Sequence, residues 1–296
     1  MSKVETSFKV LDQFSNSSTK IPYIVVDNFP QLGFLTSLRF LEWVDENPEG
    51  IISLPTGKTP EHFIKWTKHL LENWQDPNLQ KLRIANGLDL SKKPNLGGLH
   101  FVQIDEFYPI DSAQHNSFYN YVQHYYMDGF EMDPNKGLFI DCNKLPTAKG
   151  KPFTEIFLDS KVDLSLRFRN PSSKFEEEQQ ATIHLVDQWC SEYENKITDK
   201  GGIGFFLGGI GPDGHIAFNI RGSDHNSTTR LMGTNFETQA AAATDLGGIE
   251  VSRNRLVITI GLSTIVANPD ATAIIIAAGE AKAKVIKASI ENELDI

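Results

Sequence analysis

Short, almost wholly apolar runs alternate along the chain with longer segments in which apolar residues recur every three or four positions. The runs at 51–54, 99–104, 203–207, 256–260 and 271–278 predict strands. Several are apolar at consecutive positions, so both of their faces must be covered, as in a parallel sheet between two helical layers. The helical period predicts crossovers over 32–43, 60–74, 117–127, 174–196 and 280–291, with Pro60 suited to a first turn. The stretches 76–98 and 142–173 lack a strong pattern, apart from a strand expected near 162–168. They read as surface insertions on a single domain rather than as linkers.

Composition narrows the function without deciding it. A chain of 296 residues is long enough for one large domain or two modest ones. A formal charge of −10 argues against nucleic-acid or anionic-membrane partners, while leaving room for a local basic pocket. The N-terminus shows no secretory pattern, and no apolar run approaches the roughly 20 residues that span a bilayer, so a soluble, cytoplasmic protein is expected. Cys142 and Cys190 stand far apart and outside any CxxC pattern, which predicts two reduced thiols and no zinc site. The triplets Asn16-Ser17-Ser18 and Asn226-Ser227-Thr228 match a glycosylation sequon but read here as polar loops.

Four short motifs carry candidate chemistry. Gly209-x-Gly211-x-x-Gly214 follows a predicted strand as a dinucleotide fingerprint would. Pro212 and Asp213 occupy its turn, however, where a carboxylate would face a pyrophosphate, and no second strand ends in an acid about 20 residues later. Gly57-Lys58-Thr59 resembles the end of a nucleotide P-loop, but Ile52 stands where that loop needs its first glycine. What remains, from Pro55 to Pro60, is a strand-to-helix turn whose N–H groups and helix dipole suit a phosphate. Asp105-Glu106 puts at least one carboxylate at a strand's C-terminal end, a place for a general base or, more plainly, for a helix cap. Asp213-Gly214-His215 sets an acid beside an imidazole on a bendable loop, the pairing acid–base catalysis requires. Its plain alternative is an Asp-turn with a satisfied histidine; a metal site drawing on His225 fits no standard spacing.

Taken together, SLPTGKTP, VQIDEF, HNSFYNYV, GGIGPDGHIAFN, STTRL, ITIGLSTI and AAGEAKAKVI occur in the order and spacing of the glucosamine-6-phosphate deaminase (isomerase) family. The sequence resembles that family over most of its length, and 6-phosphogluconolactonase more weakly. The resemblance implies a Rossmann-like three-layer α/β/α fold with a mostly parallel sheet. It also implies conversion of glucosamine 6-phosphate and water to fructose 6-phosphate and ammonia, without a cofactor or metal, in a homo-oligomer whose partner is a small sugar phosphate. On the same basis Asp105 matches the base that removes the C2 proton, His215 the residue that assists ring opening, and Asp213 its acidic partner. Thr56, Gly57, Lys58, Thr59 and Lys282 match the phosphate site, and Glu106, Gly209, Gly211 and Gly214 the rest of the pocket.

The resemblance also breaks in places. Lys58 stands where the family loop has glycine, and the family's phosphate-binding arginine has no counterpart in NFETQAAAATDLGG, so Lys58 is expected to supply the missing cation. Ile220 and Arg221 replace the glutamate and proline that follow DGHIAFN in the family. Either Glu106, Asp224 or His225 substitutes for that glutamate, or ring opening and substrate choice have changed. The sequence stops soon after the Lys282 helix, where the family runs on, which reads as a fragment of a longer chain or a shortened homologue; Arg230 matches a basic position near the family's effector region. The alternatives are a lactonase, needing His215 but little from Asp105, and a phosphosugar-binding regulatory domain without catalysis.

Overall fold

The computed structural model describes residues 2–11, 21–246 and 248–292; the triplet Asn16-Ser17-Ser18 lies outside the described residues. Helices α1 (Lys3–Leu11) and α2 (Phe29–Glu46) precede strand β1 (Ile51–Ser53), and α3 (Glu61–Glu72) and α4 (Pro77–Ala85) lead to β2 (His100–Val102). Next come β3 (Asp105–Tyr108), α5 (Phe118–Val122) with a π-helical extension to Asp128, β4 (Gly137–Leu138), α6 (Phe153–Ile156), α7 (Lys174–Asp199) and β5 (Phe205–Gly209). The order ends with β6 (Arg230–Gly233), α8 (Phe236–Leu246), α9 (Ile249–Ser252), β7 (Leu256–Thr259), α10 (Leu262–Val266), β8 (Thr272–Ile276) and α11 (Ala283–Glu291).

Five strands form a parallel sheet in the order β4-β2-β1-β5-β8. Ile52, Phe101, Phe205 and Leu207 pack on one face with Phe40 of α2 and Phe63 of α3. Their sequence neighbours Ile51, Val102 and Phe206 pack on the other with Ile183, Val186 and Tyr193 of α7. Apolar residues at consecutive strand positions are therefore each used, one per face, and the three-layer α/β/α class expected from the sequence is the one observed. Local signals start the covering helices. Asn28 accepts from the Gln31 N–H ahead of α2, with Pro30 in its first turn, and Ser173 caps α7 by accepting from the Glu176 N–H.

Three sequence expectations need correction. The run at 256–260 forms β7, which leaves the parallel sheet and lies antiparallel between β3 and β6 in a second, three-stranded sheet. The strand expected near 162–168 is a 3-10 turn, Leu164–Arg167, because the Asp163 carboxylate takes the Ser165 N–H and closes a turn instead of leaving it to a ladder. The stretch 76–98 is not patternless: Asp76 caps α4 by accepting from the Asn78 and Leu79 N–H groups, with Pro77 as its first residue.

Chain order places a switch point in the parallel sheet. From β1 the chain builds outward through β2 and β4, then returns to the other side of β1 as β5 and continues to β8. Open α/β sheets bind ligands in the crevice outside the carboxyl ends of the two strands flanking such a reversal. Here those strands are β1 and β5, and the turns that leave them contain Thr56–Thr59 and Asp213–His215.

Candidate active site

The turn after β1 is held by its carbonyls. Tyr121 donates its hydroxyl to the Gly57 oxygen at 2.9 Å, and Tyr126 to that of Pro55. Among the described residues, the N–H groups of Thr56, Gly57, Lys58 and Thr59 donate to no protein acceptor. Gly57 has φ +82, and a Cβ there would meet nothing within 4 Å, so the turn is open on its outer side. Unpaired donors at the entry to the twelve-residue α3 suit an anion. Lys58 is exposed beside them and Thr59 half-buried.

Thr59 also ties this turn to the one after β5, since a Cβ on Gly209 would lie 3.4 Å from its methyl group. The β5 loop folds back on itself: the Gly211 N–H donates to the His215 carbonyl at 2.9 Å, and the Gly214 N–H to that of Gly211 at 3.0 Å. The fold-back sets His215 Nδ1 2.6 Å from Asp213 Oδ1. With Nδ1–H donated to the carboxylate, Nε2 is the ring's basic nitrogen, and it has no protein partner among the described residues. Gly211 is what leaves space for the pair, because a Cβ there would lie 2.3 Å from His215 Cε1 and 2.6 Å from Asp213 Oδ1. The GxGxxG string thus answers to an imidazole and a carboxylate, and it follows β5, whereas a dinucleotide fingerprint opens the first βα turn of its sheet. Phe218 stacks on His215 at 6.0 Å between ring centres, and the Phe218 N–H donates to Thr259 Oγ1 at 3.2 Å.

Thr259 lies directly across the small sheet from Asp105, which brings the third predicted element to the same place. Gln103 fixes the backbone there, donating to the Asp105 carbonyl at 2.9 Å while accepting from the Ile140 N–H. Asp105 is 7 % exposed; burial, with Glu106 adding like charge, pushes its carboxyl well above the usual range. Among the described residues no donor takes its carboxylate, as suits a base that must give its electron pair to a substrate.

Glu106 does something different. It is fully buried and accepts from Ser117 Oγ and from the N–H groups of Phe107, Phe118 and Tyr119, the last two in the first turn of α5. Placed in the pocket by the sequence, it serves in the structure as the clamp on α5. Burial drives its carboxyl up to about 7 against the pull of those four donors. Being raised above an unfolded value near 4.3, this group binds more protons in the folded state between those limits, so its contribution to stability falls as pH rises from about 4 to about 7. Asp105 acts in the same direction. Glu106→Ala is expected to cost about 3 kcal/mol, the worth of several orphaned buried donors less the carboxyl's own desolvation. Glu106→Gln should flatten the pH slope; denaturant unfolding from pH 4 to 8 measures both.

Lys282 lies in the segment after β8. It is half-buried, burial lowers its ammonium below the ordinary lysine value, and among the described residues no acid pairs with it. Val285 of the following helix approaches within 3.0 Å of a Cβ placed on Gly214, which docks this segment against the Asp213–His215 loop. Two cavities of about 210 and 400 Å³ open elsewhere, beside Trp189 and beside Lys93.

None of the substitutes expected for the missing glutamate reaches the pair. Glu106 is committed to α5, Asp224 accepts from the Asn226 N–H, and His225 makes no bond to Asp213 or His215. Arg230 donates to Asn219 Oδ1 at 2.8 Å and to the Thr228 carbonyl, holding the end of DGHIAFN to β6. The residue the sequence did not single out is Asn235, whose Nδ2 lies 2.6 Å from Asp213 Oδ2. An Asn just before a helical run reads as a cap; nothing in the sequence signals a partner 22 residues away.

This arrangement sets an open turn of unpaired N–H groups and a His–Asp pair at the switch point of an α/β sheet, beside a buried carboxyl. No family model matches the chain. Over 92 residues it is 44% identical to a glucosamine-6-phosphate deaminase of Caenorhabditis elegans, covering 29% of this chain and 34% of that one. It is 42% identical over 91 residues to a glucosamine-6-phosphate isomerase of Candida albicans, covering 31% and 37%. The matched part thus spans little more than a third of those relatives. Among solved structures, a monomeric glucosamine-6-phosphate deaminase superposes with a TM-score of 0.66 at 18% identity, covering 91% of this chain and 87% of that one. The 6-phosphogluconolactonase of Leishmania guyanensis gives 0.56 at 16%, covering 92% and 87%. The chain shares its fold with both groups of enzymes and, over part of its length, its sequence with the deaminases.

Proposed function

We propose that the protein is an amino-sugar phosphate isomerase-deaminase that converts glucosamine 6-phosphate and water to fructose 6-phosphate and ammonia. The observation that carries this reading is the meeting of the Asp213–His215 pair with the unpaired donors of the β1 turn at one switch point. Asp105 stands across the small sheet from the residue that anchors the same loop. The partial sequence identity to deaminases supports glucosamine 6-phosphate as the substrate.

In this reading the phosphate sits on the N–H groups of residues 56–59, between Lys58 and Lys282. His215 Nε2, its ring oriented by Asp213, exchanges the ring hydroxyl proton and opens the sugar to its C1 aldehyde. The Asp105 carboxylate takes the C2 proton, and the C2–H pair becomes the C1=C2 bond as the C1=O π pair moves to O1, which takes a proton to give an enol-amine. Reprotonation at C1 leaves a C=N group at C2; water adds to it, ammonia leaves, and the C2 ketone remains.

Lys58→Ala is expected to raise KM for glucosamine 6-phosphate about 10- to 100-fold, the worth of one hydrogen bond to a charged group, with kcat little changed. Initial rates measure it, and an unchanged KM refutes Lys58 as the compensating cation. The assignment itself is tested by assaying ammonia and fructose 6-phosphate together from purified protein.

A further inference from the structure

The Asp213–His215 pair has a third member on a different element. Asn235 immediately precedes α8, and its Oδ1 accepts from the Thr238 N–H at 2.9 Å, the geometry of a helix cap. That bond settles the orientation of the amide. An N–H can face only an oxygen, so the Asn235 NH₂ group must face the other way, and there it donates to Asp213 Oδ2 at 2.6 Å. Asp213 is thereby gripped at both oxygens, by His215 on Oδ1 and by Asn235 on Oδ2.

We propose that Asn235 is the positioning residue of the His–Asp relay, fixing the Asp213 carboxylate so that it holds His215 in one tautomer and one orientation. The proposal rests on the deaminase reading for its kinetic consequences but not for its geometry. An amide in this place does what a second carboxylate could not. Its N–H donates more strongly to the Asp213 carboxylate than to the neutral acid, and so favours an ionised acceptor when the ring donates to it. Burial pushes the Asp213 carboxyl up, but Asn235 and His215 together outweigh it and hold the group below its ordinary value.

No other charged group bonds Asp213 among the described residues. His215 faces it from its own loop; the titratable groups of the surrounding elements include Glu237 on α8, Glu280, Lys282 and Lys284 on the segment docked at Gly214, Lys58 in the β1 turn, and Asp105 and Glu106 on β3.

Asn235→Ser separates capping from positioning. Serine caps a helix as well as asparagine does but is one bond shorter and gives up the amide donor. The expected result is an unchanged melting temperature and a kcat lowered about 10- to 100-fold with KM within about twofold. Asn235→Ala should lose stability as well. A serine variant with wild-type kcat overturns the proposal. Should the wild type not turn over glucosamine 6-phosphate, the deaminase reading fails alone. The Asp213 titration, followed by carboxyl-carbon NMR and assigned with Asp213→Asn, still decides this point: it rises in Asn235→Ser if the proposal holds and stays put if it does not.

Discussion

Asp105→Asn is expected to lower kcat for glucosamine 6-phosphate about 10²- to 10⁴-fold, the usual contribution of a positioned general base, while leaving KM near the wild-type value. The side chain accepts no bond from any described residue, so an amide of equal size orphans no partner. Its burial disfavours the ionised form, so removing the charge should leave the melting temperature at pH 8 equal or higher. Loss of catalysis without loss of stability separates a base from a core acid. The pH dependence follows with its sign. The base works ionised, and burial raises its carboxyl, so activity should fall on acidification well before the ordinary carboxylate range is reached. Steady-state kinetics from pH 5 to 9 together with thermal melts check both parts.

Gly211→Ala should disable the site from a position that carries no functional group. Its methyl would fall 2.3 Å from His215 Cε1 and 2.6 Å from Asp213 Oδ1, distances no real contact tolerates, so the pair must separate or the loop must shift. Displacements of this size commonly cost about 10²-fold in rate. The variant should therefore approach the activity of His215→Gln. The turn lies on the rim of the sheet, and 6-phosphosugar binding through the β1 turn should persist. Measured kcat, and thermal stabilisation by glucosamine 6-phosphate, distinguish a disabled relay from a lost binding site.

Much of this was legible in the sequence, for reasons that can be named. Ile51, Ile52, Phe205 and Phe206 are apolar at consecutive positions because the sheet is covered on both faces, and that pattern has no cheaper explanation. The turns carrying Gly57–Thr59 and Gly209–His215 were found because their glycines and prolines punctuate strand ends. Pairing was harder to read. Leu256–Thr259 is as apolar as any buried parallel strand, and nothing local says that its neighbours are β3 and β6. Residues 162–168 alternate as a strand should, yet one Asp163 side-chain bond turns them into a 3-10 segment. Within the site, side chains acting through space were the ones missed. Asn235 announces only a cap, and Glu106 looks like a second catalytic carboxylate until its four donors on and beside α5 are seen.

The most direct test of the account is a time course with glucosamine 6-phosphate in which ammonia and fructose 6-phosphate are assayed in the same samples, with Asp105→Asn as control. The account predicts the two products in equal amounts from the wild type, and both formed about 10²- to 10⁴-fold more slowly by the variant. Absence of both, in a wild-type protein that glucosamine 6-phosphate still stabilises against heat, would contradict it.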